Sequence, residues 1–159
     1  DAFGRFCDLA ATFGLTAAVE FASARPIATL RDTTRLIAAA ERANAVVCLD
    51  PLNHMRASPL DHLFGVDAKL LPYAQLTDGV VGPGEPNLER ARANGPNVRR
   101  WPGEGDVPLA EMLALLPRDC ALSIEGPPLD PAKHSPQEWA AIAMQKSRDF
   151  LERINRPDA

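Results

Sequence analysis

Apolar positions along the chain change their spacing several times, and each change marks an element. FGRFCDLAATFG (3–14) is spaced as an amphipathic helix and closes at Gly14, the residue type that takes a left-handed helix C-cap most readily. LTAAVEF (15–21) is a short apolar run, read as a strand that ends at Glu20. Residues 29–43 return to helical spacing, with Leu30, Ile37 and Ala40 on one stripe, Thr29 as N-cap and Asp32 three residues on. AVVCLD (45–50) is apolar without alternation, as a strand covered on both faces of a parallel sheet must be.

The second half continues in the same way. Residues 59–71 read as a short helical or irregular crossover, and LPYAQLTD (71–78) as a third strand with Gln75 and Asp78 near its end. Residues 79–105 are rich in Gly, Pro and Asn, which predicts a long loop with one weak strand near 97–101. PLAEMLALLP (108–117) predicts a helix stopped by Pro117, and CALSIEG (120–126) a strand ending at Glu125. SPQEWAAIAMQKSRDFLERI (135–154) opens with the pair Ser135 and Glu138, a capping box, and predicts the clearest helix of the chain. Strand and helix in alternation predict a parallel α/β sheet with right-handed crossovers, in one unit over residues 1–159.

Composition narrows the function. A net charge of −4 and a pI near 5.4 leave no basic footprint for nucleic acid or an anionic membrane. Cys7, Cys48 and Cys120 are odd in number, sit in apolar settings and lack metal-type spacing, so they are expected to be reduced, buried thiols. With neither a signal peptide nor an apolar run of membrane-spanning length, a cytoplasmic protein is expected. The chain opens without Met and already inside a helix, which suggests a piece of a longer protein.

The chemistry sits where strands end. VVCLDPLNHMRAS (46–58) runs apolar and then presents Asp50, Asn53, His54 and Arg56 in quick succession. Glu20, Asp50, Gln75 and Glu125 each fall at the end of a predicted strand. Parallel strands place their carboxyl ends on one side, so these four can converge. Three carboxylates and an amide oxygen make a hard site suited to a divalent ion, and without a cation the acids would repel one another.

Together, VEF with Glu20, LDPLNHMR with Asp50, YAQLTD with Gln75, RRWPGEGDVPL (99–109) and LSIEGP with Glu125 resemble the carboxyl-terminal half of the xylose isomerase-like TIM barrels. The resemblance implies one divalent metal (Mn, Mg, Co or Zn) held by Glu20, Asp50, Gln75 and Glu125, with Glu20 and Glu125 also moving a proton on and off carbon. It implies substrate contacts at Asn53, His54 and Arg99, the last lying just before the PGEG segment; the sequence leaves Arg56 two partners, an anionic substrate or Asp61. The sequence departs from the family pattern twice: Gln75 stands where His is commonest, and Asn53 stands three residues after Asp50, with His54 next to it. The implied function is isomerisation or epimerisation of a sugar or small hydroxy-carbonyl compound through a metal-stabilised enediolate. A 3-dehydroshikimate dehydratase-type lyase is the nearest alternative, and a non-catalytic half-barrel interaction module is the alternative of another class. A complete (β/α)8 barrel needs roughly 250 residues, so the amino-terminal half is expected on another chain, on a missing segment or through homo-oligomerisation.

Overall fold

A computed structural model describes residues 2–82, 86, 87, 89, 99–127, 130 and 132–156. Helix α1 (Ala2–Thr12) leads into strand β1 (Ala17–Glu20), followed by α2 (Leu30–Ala40) and β2 (Ala45–Leu49). Next come α3 (Pro51–Ala57), two 3-10 turns at Leu60–Leu63 and Ala68–Leu70, and β3 (Tyr73–Leu76). The short strands β4 (Asp78–Gly79) and β5 (Arg99–Arg100) precede α4 (Leu109–Leu115), β6 (Ala121–Ile124) and α5 (Pro136–Arg153).

The four longer strands form one parallel sheet in the order β1-β2-β3-β6. Its register sets Glu20 beside Cys48, and Gln75 beside Ser123. All of β2 is buried, as its unbroken apolar run requires. Leu30 and Ile37 of α2, Leu109, Met112 and Leu113 of α4, and Phe150 and Leu151 of α5 join Val47, Leu49, Ala74 and Leu76 in a single core. Cys7, Cys48 and Cys120 are free and buried, and burial pushes the Cys48 thiol up to about 12.

Local signals act as the sequence implies. Gly14 has φ 67°; its N–H reaches the Ala11 carbonyl while Leu15 N–H reaches Ala10, the paired bonds of a Schellman cap. Thr29 Oγ1 accepts from Asp32 N–H, and Ser135 with Glu138 forms the full capping box.

Three expectations change. Residues 51–57 form helix α3, an element that the sequence pattern did not predict; Asp50 caps it through Asn53 N–H and Pro51 opens it. The weak strand near 97–101 survives as Arg99–Arg100, with 97 and 98 outside the described residues, and it does not enter the parallel sheet. It pairs antiparallel with β4 as a separate ribbon, Asp78 opposite Arg100 and Gly79 opposite Arg99. Much of the predicted 79–105 loop also lies outside the described residues. Helix α2 ends at Ala40 rather than 43, because Glu41 turns left-handed at φ 53° and Arg42 bonds the Ala40 carbonyl and Asp8.

Candidate metal centre

Asp50 follows β2 at the centre of the sheet and is fully buried, while Glu20 and Glu125 end the two edge strands and are more open. One carboxylate oxygen from each of Glu20, Asp50 and Glu125 lies within 4.8 Å of the other two. Asp50 divides its oxygens between two tasks. Its Oδ1 accepts from Asn53 N–H at 2.8 Å and so caps α3. Its Oδ2 accepts both Nη atoms of Arg99 at 3.0 Å.

Arg99 also pairs with Glu125 Oε1 at 2.8 Å and donates to Thr77 Oγ1 at 2.7 Å. Glu20 takes a hydrogen bond from the Gln75 side chain, and Asn53 Nδ2 stands 3.4 Å from its Oε1. Gln75 Oε1 and Glu125 Oε2 are buried and have no hydrogen-bond partner among the described residues. Orphaned buried acceptors of this kind are costly unless a ligand satisfies them.

The electrostatics follow from that crowding. Burial raises the Glu20 carboxyl above its usual range, and the Asp50 charge adds to the effect. Burial also raises Glu125; Arg99 opposes the shift, while Asp50 and Glu20 reinforce it. Both glutamates are thereby made better proton acceptors than a solvated carboxylate.

The ribbon that carries Arg99 is fixed by a residue to which the sequence reading assigned no role. Asp78 is buried, and its carboxylate accepts four backbone N–H groups: Gly79 at 2.7 Å, Gly103 at 2.9 Å, Gly105 at 3.1 Å and Val107 at 3.2 Å. A Cβ at Gly105 would collide with Asp78 Oδ1 and the Gly79 backbone, and one at Gly103 would strike Phe150 and Arg153. The glycines of PGEG are therefore a steric requirement of the loop. A further Cβ at Gly126, next to Glu125, would run into the Trp101 ring. The usable signals were an acid in LTDG and two glycines around Glu104; Glu104 itself pairs outward with Lys146 at 2.6 Å.

The proposed substrate contacts divide. Asn53 and Arg99 reach the acid cluster. His54 does not: it is fully buried, its Nε2 lies 3.1 Å from the Pro59 carbonyl, and its ring stands edge-on to Phe21. Arg56 is also buried, with Nε donating to the Val80 carbonyl at 3.2 Å in the loop after β4. Helix α3 is the cause, since its turns carry both side chains into the protein.

The parallel strands alternate with helices and gather acids at their carboxyl ends, the arrangement of α/β folds that hold their chemistry there. Two solved structures are similar over almost the whole chain. One is an IolI protein with a binding zinc atom, matched with a TM-score of 0.77 and 21% identity over 96% of this chain and 54% of that one. The other is a xylose isomerase-like TIM barrel/4-hydroxyphenylpyruvate dioxygenase fusion protein, with a TM-score of 0.69 and 19% identity over 98% of this chain and 26% of that one. The chain thus spans about half the length of the first and a quarter of the second. No family model and no curated protein matches the sequence.

Proposed function

We propose that this chain is the metal-holding part of a divalent-metal-dependent isomerase or epimerase acting on a sugar or other small hydroxy-carbonyl compound. The observation that carries the reading is the cluster itself: three carboxylate oxygens within 4.8 Å, flanked by the unsatisfied Oε1 of Gln75. An all-oxygen donor set fits Mn²⁺ or Mg²⁺, and the zinc atom of the IolI structure supports a divalent ion in this fold. Glu20, Asp50, Gln75 and Glu125 would hold the ion, which when bound supplies Lewis-acid polarisation of substrate oxygens.

The protein side of the chemistry is proton transfer. Glu20 and Glu125 end the first and last strands of the sheet, so they can address a substrate carbon from different directions. As carboxylates they can remove a proton next to a carbonyl and return it at the neighbouring position or on the other face. Arg99 neutralises Asp50 and Glu125 in the metal-free site, and Asn53 donates to Glu20.

The experiment is solvent exchange. The protein is incubated with Mn²⁺ and a panel of aldoses, ketoses and hydroxy-carbonyl compounds in D₂O, and carbon-bound protons are followed by NMR. Exchange next to the carbonyl of one compound, abolished in Glu125→Gln, is the expected result. Loss of water from a substrate without isomer formation would move the assignment to a lyase, and no exchange with any compound counts against both.

A further inference from the structure

We infer that Arg99 is the built-in counter-cation of the acid cluster, and that a divalent metal must displace it to bind; the inference rests on the metal-site reading above. The guanidinium lies among the oxygens a metal would need. Its Nη2 is 3.0 Å from Asp50 Oδ2 and 2.8 Å from Glu125 Oε1, and its Nη1 is 3.0 Å from the same Asp50 oxygen. These are charge-assisted bonds in a half-buried setting, where they hold most firmly. A dication and a guanidinium on the same Asp50 oxygen would repel each other, so the two compete.

Arg99 is not a wandering surface side chain. Its backbone is paired to Gly79 in the β4–β5 ribbon, and the four backbone bonds of Asp78 tie that ribbon to the 103–107 loop. Thr77 Oγ1, which is buried, receives Nη1 at 2.7 Å and fixes the direction of the fork. The competition is therefore built in by position as well as by charge. It gives the site a neutralised form without metal and sets a threshold of metal concentration below which that form persists.

Calorimetric titration with MnCl₂ on wild type, Arg99→Gln and Arg99→Lys tests this, with circular dichroism to verify folding. Arg99→Gln should bind Mn²⁺ about tenfold more tightly than wild type, the size expected for release of one charge-assisted pair. Arg99→Lys keeps the charge but loses the fork, and should fall between the two; if Arg99→Gln does not fold, the Lys variant alone decides by the same shift. Binding by Arg99→Gln with none by wild type would also support the inference. Wild-type binding with no gain in the variants overturns it and leaves the metal site standing. No binding by any of the three overturns both.

Discussion

His54 shows how a polar residue beside a site can be structural. Burial holds its imidazole neutral, with the pKa lowered from 6.5 to about 4. Between those pH values the unfolded chain binds a proton that the folded chain refuses. Stability from this group is fully present above 6.5 and is lost as pH falls towards 4. At about 1.4 kcal/mol per unit the loss amounts to roughly 3 kcal/mol. Urea denaturation of wild type and His54→Leu at pH 7 and pH 4.5 should show a much smaller pH dependence in the variant; equal dependence would mean another group carries it. The neighbouring residues divide by helix geometry: Asn53 reaches Glu20, whereas His54 and Arg56 are buried in the protein.

Element by element, the strands and caps were readable because each has a local cause. The apolar run of β2, the Gly14 cap and the Ser135–Glu138 box need no tertiary contact to be recognised. The acids at strand ends were legible for the same reason, since alternation of strand and helix already puts them on one side. Helix α3 was not, because at seven residues it is too short to show a period, and Asp-Pro reads equally as a turn. The Asp78 clamp was invisible because its four partners are backbone groups, mostly far along the chain, and leave no side-chain signature. A contrast between glycines tests the clamp. Gly14→Ala meets nothing within 4 Å and should cost about 1 kcal/mol for its positive φ. Gly105→Ala forces a Cβ into Asp78 and Gly79 and should cost about 2–4 kcal/mol. Thermal melts of the two variants compare them directly, and equal costs would show that the loop yields without strain.

For the whole molecule, the open flanks of the sheet carry the consequence. Among the described residues, strands β1 and β6 each have one neighbour, and beside β1 helix α1 presents Phe6 and Leu9 to solvent, 57% and 59% exposed, with Phe13 and Leu15 following at 71% and 59%. Three large apolar residues at i, i+3 and i+7 form a face that a neighbouring element would cover. The two solved structures similar to this chain extend well beyond the matched part. We therefore expect the 159 residues on their own to self-associate, or to bind the strands that complete the barrel. Light scattering should give a mass above 17.2 kDa, and Phe6→Lys with Phe13→Lys should reduce it; a stable monomer of that mass would show that the exposed face needs no partner. The proposed chemistry depends on the metal. Calorimetric titration of the purified protein with MnCl₂, beside Glu125→Gln, tests it most directly. One ion per chain in wild type, with most of the affinity lost in the variant, is the predicted result; no binding at millimolar metal, or equal binding by both proteins, would contradict it.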